Sequence, residues 1–167
     1  KTVANANGSS NLTWTAVDNG GTANGGVNTL TETLAITVNA VNDAPTLTAT
    51  ALNPTFTEAA GLGTQAAAVN MFSGTSASTI ELGDRVTGLT FTITGLLDGA
   101  SEVIVVDGRT ITLGGNSSGT TVTNSLSYNS TISGGTATVV LSGGSLTTTV
   151  TQSLVNGITY QNTNTDN

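Results

Sequence analysis

The sequence predicts an antiparallel all-β protein with many short strands and one short helix near 148–156. Apolar residues alternate with small polar ones along much of the chain, which is the period of a half-buried strand. Thr, Ser, Asn and Gly make up most of the rest, and they favour strands or the turns between them. With only 3 Phe, 2 Tyr and 1 Trp, the core must be mainly aliphatic, and Trp14 is expected to anchor it.

Strand-like runs follow one another along the chain, separated by turn signals that contain glycine. The predicted strands cover 12–17, 30–40, 46–50, 65–72, 86–94, 101–106, 109–113, 120–123, 125–133 and 136–141. Within VVDGRTITL, residues 105–113, the pair Asp107-Gly108 supplies the positive-φ positions of a type I′ turn. This stretch therefore predicts a β-hairpin.

One segment near the C-terminus departs from the strand pattern. In TTVTQSLVNG, residues 148–157, Val150, Leu154 and Val155 fall on one face of a helix. Gly157 follows as a C-cap residue. The sequence therefore predicts a short helix over 148–156.

Pro45 marks a predicted boundary between two parts of the chain. Proline has no N–H for a ladder, so the run from Ile36 to Leu47 cannot be one continuous central strand. Too few strands precede Pro45 to close a sandwich of their own. We expect 1–45 to be the C-terminal part of one β-sandwich repeat. We expect 46–167 to be most of the next, with strands of a neighbouring copy as one way to complete it.

The charge and the residue inventory exclude several classes of function. The chain has ten acidic and three basic residues, for a net charge of −7. We therefore expect no basic surface for nucleic acid. The chain has no Cys and no His, and its single lysine is Lys1. Zinc sites of the usual kind and activated Ser, Thr or Cys nucleophiles are therefore excluded. Asp98 and Glu102 are close in sequence without an aromatic sugar platform, so we expect no enzyme. No apolar run is long enough for membrane insertion.

Several phrases resemble the cadherin-like and immunoglobulin-like tandem repeats of giant secreted bacterial adhesins, including those exported with RTX-type tails. The phrases are DNGGTANGGVNT (18–29), VNDAPTLT (41–48), FTEAAGLGT (56–64), ELGDRVTGLTFTITGL (81–96) and ITYQNTNTDN (158–167). The resemblance implies an immunoglobulin-like or cadherin-like β-sandwich. It also implies a place on the bacterial cell surface or outside the cell, as a structural part of an adhesin stalk or fibre in adhesion and biofilm.

The order of these phrases suggests the partners. In such repeats the segment after ITYQNTNTDN leads into strands ending in DNGGTANGG, whereas here that phrase stands near the start. We expect neighbouring copies of the module as head-to-tail partners, with the strands near 12–17 and 30–40 pairing with the sheet edge of the next copy. The alternative is a self-assembling subunit of a secreted filament or surface layer. The sequence names no receptor.

The resemblance further implies calcium at the junction between modules. It makes Asn42 and Asp43 ligands, and Glu58 resembles the early Glu that cadherin-type modules bring to the same junction. Asp98 and Glu102 are candidates for further carboxylates, because calcium takes about six to eight oxygen ligands.

An ion-free reading of the junction stays open. Asn42 and Asp43 also fit an Asx-type turn before Pro45, which needs no metal. VNDAP is shorter than the VNDNAP form of the animal cadherin linker, and Ala40 stands where that linker has an Asp. These residues therefore predict a boundary under either reading, with or without calcium.

Overall fold

The computed structural model of the protein describes residues 5–57 and 65–164. It consists of antiparallel strands with one short α-helix, so the predicted all-β class is confirmed. The chain divides into two compact units, Lys1–Asp43 and Ala44–Asn167. The assignment of the two units to successive repeats stays a prediction.

The first unit is a hairpin of two long antiparallel strands, β1 (Gly8–Val17) and β2 (Thr29–Val38). Its loop opens with Asp18, whose Oδ1 accepts a 2.7 Å hydrogen bond from the N–H of Gly20. This is the Asx geometry that brings a chain around without help from a second element. A 3₁₀ turn, Ala23–Gly25, completes the loop.

The two faces of this hairpin differ in chemistry. On one face, hydroxyls pair across the strands, Thr13 with Thr33 at 3.1 Å and Thr15 with Thr31 at 3.2 Å. The other face is apolar and carries Leu12, Trp14, Ala16, Leu30, Leu34, Ile36 and Val38. The expectation that Trp14 anchors a core is wrong for this chain, since its side chain is 48% exposed. A two-stranded ribbon is a single layer and has no second layer to bury it.

The second unit contains ten strands among the described residues. They are β3 (Thr46–Ala51), β4 (Val69–Asn70), β5 (Phe72–Ser78), β6 (Leu89–Thr94), β7 (Glu102–Val106), β8 (Arg109–Thr112), β9 (Ser117–Thr120), β10 (Ser127–Ser133), β11 (Thr136–Ser142) and β12 (Thr159–Asn162). Two four-stranded sheets have the orders β6-β11-β10-β9 and β4-β12-β7-β8. A ribbon of β3 and β5 is irregular between Thr48 and Thr50.

One core joins the two four-stranded sheets and makes the unit a sandwich. Val106 and Ile111 come from the second sheet and Val139 and Leu141 from the first, and all four are at most 1% exposed. Burial of each such side chain stabilises the fold by about 1.5–3 kcal/mol. As the composition predicts, the core is mainly aliphatic, with Tyr128 as its buried aromatic residue.

The predicted helix is confirmed as α1 (Thr148–Asn156). The hydroxyl of Thr147 caps it by accepting a 3.2 Å hydrogen bond from a first-turn N–H, and Leu154 and Val155 are buried. At the other end, the side-chain oxygen of Asn156 accepts hydrogen bonds from the N–H and the hydroxyl of Thr75 on β5. The helix is therefore tied to the ribbon as well as to the core. No helix in the described ranges is long and apolar enough to cross a membrane.

The predicted hairpin at 105–113 is also confirmed. β7 and β8 are joined by Asp107 and Gly108, with φ of 50° and 76°. Both lie in the left-handed region that a type I′ turn requires.

Two of the predicted strands differ most from the structure. In the run 65–72 only Val69–Asn70 and the start of β5 are strand, and β5 continues to Ser78. Its inward residues, Thr75 and Ala77, are too small to produce a hydrophobic alternation. The strand predicted at 120–123 lies earlier, at Ser117–Thr120, because the residues after it bend around the carboxylate of Asp107.

Candidate functional site

The predicted junction ligands Asn42 and Asp43 lie between β2 and β3, in a segment without regular secondary structure. The Asn42 side chain is exposed and that of Asp43 is half-buried. Their oxygens are of the kind that calcium takes. Glu58, the third predicted junction ligand, lies outside the described residues. A calcium-binding role for these three residues stays a prediction.

The other predicted ligands, Asp98 and Glu102, lie together in the second unit. Asp98 precedes a 3₁₀ turn, Gly99–Ser101, and Glu102 begins β7 directly after it. Glu102 is only 6% exposed. Its Oε2 accepts hydrogen bonds from the N–H groups of Leu97 at 2.8 Å and Asp98 at 2.9 Å. The carboxylate therefore holds this loop against the start of the strand.

Tyr160 and Asn162 on β12 complete this carboxylate cluster. The Tyr160 hydroxyl donates a 2.9 Å hydrogen bond to Oε1 of Glu102, and the Asn162 amide donates to Oδ2 of Asp98. Burial raises the pKa of Tyr160 above its usual value, and its hydrogen bond to Glu102 and the negative charges of Glu102 and Asp98 raise it further. A metal ion at Asp98 and Glu102 would compete with these hydrogen bonds.

The sequence did not indicate that Tyr160 and Asn162 belong to the cluster. They are two residues apart on a strand, so they share a face. That spacing alone does not say which strand they meet. The pairing of β12 with β7 decides it, because it places Asn162 opposite Glu102. Across 5–57 and 65–164, no group of three or more His, Cys, Asp or Glu is placed to hold a metal ion.

Asp107 forms a second buried carboxylate cluster. Its oxygens accept hydrogen bonds from the Thr121 hydroxyl at 2.6 Å, the Asn124 N–H at 2.9 Å and the Asn124 side-chain amide. It borders a cavity of about 380 Å³ whose lining includes Val150 and Leu154. Because both carboxylate oxygens already have partners, Asp107 acts as the anchor of the 121–126 loop. The sequence predicted the turn at Asp107 but not this anchor.

The apolar face of the first hairpin is the candidate interaction surface. Its large side chains are between 38% and 55% exposed, and a contiguous exposed apolar patch marks a site of interaction. An isolated two-stranded hairpin is at best marginally stable in water. At its centre Trp14 lies opposite Glu32, the one charged residue of the face. A second layer against this face would supply the burial that the hairpin lacks.

Comparisons of this chain with protein-family models, with curated proteins and with solved structures found no match.

Proposed function

We propose that this chain is a non-enzymatic structural repeat module of a large bacterial extracellular fibre or adhesin stalk. The observation that carries the proposal is the first hairpin, whose apolar face is exposed. In a head-to-tail array, a neighbouring copy of the module supplies the missing second layer. The resemblance of VNDAPTLT and the other phrases to adhesin repeats supports the extracellular setting.

The proposed mechanism is mechanical. Sandwiches in series carry load along the fibre, and the short segments between them set its stiffness. Each module has a net charge of −7, so neighbouring modules repel one another and divalent cations offset this repulsion. Calcium held by Asn42, Asp43 and Glu58 would bridge two modules and stiffen the junction.

The inventory of side chains supports a non-enzymatic role. The chain has neither His nor Cys, and its only lysine is Lys1, so Ser and Thr hydroxyls have no usual base to activate them. The two buried carboxylates, Glu102 and Asp107, each have both oxygens in hydrogen bonds with the protein. These hydrogen bonds hold neighbouring loops, which supports a structural role for both carboxylates.

Two copies joined head to tail in one polypeptide test this proposal. Trp14 is the only tryptophan of the chain, so Trp14→Phe in the first copy leaves one reporter in the second hairpin. We expect its emission to be shifted to the blue and protected from acrylamide. In the mirror variant, with tryptophan only in the first copy, it should stay exposed. Equal exposure of the two tryptophans at submicromolar concentration would contradict the proposal.

The exposed hairpin also favours a second candidate, a subunit of a secreted filament or surface layer that assembles by strand complementation between separate chains. Sedimentation of the single chain over a range of concentrations distinguishes the two. Concentration-dependent assembly favours the filament subunit. A single chain that stays monomeric, together with a buried tryptophan in the two-copy polypeptide, favours the tandem array.

A further inference from the structure

The outer edge of β6 ends the sandwich abruptly. β6 is the first strand of its sheet and pairs only with β11 among the described residues. Its core-side residues, Leu89, Phe91 and Ile93, are only half-buried. Their neighbour Val139 on β11, by contrast, is completely buried. The apolar layer therefore continues to β6 and stops there incompletely covered.

The sequence of β1 has the same alternation as β6. β1 contains LTWTA and β6 is LTFTIT, so each strand has large apolar residues on one face and threonines on the other. A strand added beside β6 must place its apolar residues on the core side, because a slip of one residue reverses every side chain. β1 satisfies this requirement on both faces at once.

The backbone of each strand also has unpaired N–H and C=O groups along its free edge, which a strand addition requires. Successive residues of an antiparallel strand direct their N–H and C=O groups alternately to the two sides. In the first hairpin, the N–H of Asp18 donates to the carbonyl of Asn28 at 2.9 Å. The backbone N–H and C=O groups of the even-numbered residues of β1 therefore point to β2. Those of Thr13 and Thr15 point to the free edge of β1.

The backbone groups that β6 leaves unpaired follow from its pairing with β11. Ser133 and Thr136 flank a two-residue turn and form the closing hydrogen-bonded pair of β10 and β11. The odd-numbered residues of β11 therefore face β6. Since Phe91 lies opposite Val139, the odd-numbered residues of β6 face β11. The backbone N–H and C=O groups of Thr90 and Thr92 therefore point to the free edge of β6.

We propose that β1 of one copy adds to the free edge of β6 in a second copy, antiparallel and with Trp14 opposite Phe91. The inference rests on the proposed association of copies and names the acceptor edge and the register. The register forms the pairs Leu12–Ile93, Trp14–Phe91 and Ala16–Leu89 on the core side and Thr13–Thr92 and Thr15–Thr90 on the outer side. The backbone groups that face the two free edges then meet. A parallel arrangement with matched faces would direct the free groups of one strand away from the other.

The charges favour this register. Asp18 at the end of β1 comes to lie near the exposed Arg85, one of two arginines in the chain. Glu32 stays on the outermost strand, where a charge reaches water. Face-to-face packing of two hairpins would instead bring two Glu32 carboxylates into an apolar layer, which is costly without a partner.

Single cysteines test the register, because the natural chain contains none. Thr13→Cys and Thr92→Cys chains, one with a size tag, are mixed and mildly oxidised. Opposed residues fall within the Cα separation of a disulfide, about 4.4–6.8 Å. Thr33→Cys is the matched control, because Thr33 is exposed and lies one strand beyond Thr13. We expect the Thr13–Thr92 heterodimer at roughly tenfold or more over the Thr33–Thr92 product. A second pair, Thr15→Cys with Thr90→Cys, checks the register if either first variant fails to fold.

Each alternative result has a distinct meaning. If the main product is a homodimer cross-linked at position 13, β1 of one copy pairs with β1 of the other. That result would overturn the inference. Cross-linking to Thr48→Cys on β3 instead would give a different acceptor and overturn it. Assembly in the centrifuge without cross-linking above the control would overturn the β6 assignment and leave the proposed association of copies intact. A further result is a chain that stays monomeric while the double variant Thr13→Cys, Thr92→Cys forms a disulfide within one chain. In that case β1 pairs with β6 of its own chain, which would overturn assembly between separate chains as well.

Discussion

The hydroxyl of Tyr160 lies 2.9 Å from Oε1 of Glu102, on neighbouring strands whose residues are 58 apart in sequence. This hydrogen bond ties the last strand of the second unit to the carboxylate that also holds the loop at Leu97 and Asp98. The cluster therefore joins three segments of the chain. Its behaviour can be tested apart from any function of the hairpin.

Replacing Glu102 by Ala should destabilise the second unit by about 1–3 kcal/mol, because the N–H groups of Leu97 and Asp98 and the tyrosine hydroxyl lose their acceptor. Glu102→Gln keeps one acceptor oxygen and should cost less. Asp84→Ala, at an exposed carboxylate of the same unit, should change stability by no more than about 0.5 kcal/mol. Urea unfolding followed by circular dichroism measures all three. Equal effects of Glu102→Ala and Asp84→Ala would contradict the role of the cluster.

Tyr160 should make the protein sensitive to alkali. Its pKa is raised in the folded state, so the neutral hydroxyl stabilises the fold fully below its unfolded pKa of about 10. This contribution is lost as the pH rises above that value toward the folded pKa. Between about pH 9 and pH 11, the urea midpoint of the natural chain should fall more than that of Tyr160→Phe. Parallel curves for the two proteins would show that ionisation of Tyr160 is not coupled to folding.

Gly114 should tolerate no side chain, whereas its neighbour Gly115 should. A Cβ on Gly114 would lie 2.2 Å from the backbone nitrogen of Ala100, while one on Gly115 would meet nothing within 4 Å. Gly114→Ala should therefore cost about 1–3 kcal/mol or more by overpacking. Gly115→Ala should stay within about 0.5 kcal/mol of the natural chain. The two melting temperatures give the comparison, and equal values would rule out the close approach to Ala100.

A charge on the apolar face of the hairpin should abolish association of copies. Leu12 is 52% exposed on that face of β1, so Leu12→Lys would bury an unpaired ammonium in any second layer. We expect the dissociation constant to rise by about 100-fold or more. Thr33→Lys, on the opposite face, is the matched control and should associate like the natural chain. The measurement is sedimentation of the single chain where it assembles, or acrylamide protection of the second-copy tryptophan in the two-copy polypeptide where it does not. A similar loss in both variants would mean that this face is not the interface.

Calcium should stabilise the junction of the two-copy polypeptide. If the ion binds only the folded junction, the gain is about 2.7 kcal/mol at a hundredfold excess over Kd, and chelation reverses it. Asp43→Asn should remove most of the effect, whereas Asp84→Asn at an exposed site should not. Melting temperatures with and without calcium provide the measurement. If chelation changes neither the melting temperature nor the stiffness, the calcium part of the proposed function is wrong.

Sequence reasoning succeeded where a local signal was strong. Asp107-Gly108 favours positive φ and predicted its hairpin, and the spacing of Val150, Leu154 and Val155 predicted α1. It failed at β5, where Thr75 and Ala77 are buried without being large. It also failed for Trp14, since its alternation with threonine predicts a strand face but not what covers that face. For the candidate site, it named Asp98 and Glu102 but could not say that their oxygens serve Tyr160, Asn162 and the loop backbone.

The sequence by itself determined the class of the protein, because strand period, turn residues and helix spacing are local properties of neighbouring residues. The lack of His and Cys is likewise a property of the sequence, and it removes the usual ligands of a zinc site. Only the tertiary structure decided which strands meet. The pairing of β12 with β7 brings Tyr160 to Glu102, and the end of the sheet at β6 leaves Phe91 half-covered. Such contacts join residues far apart in the chain, and no local pattern records them.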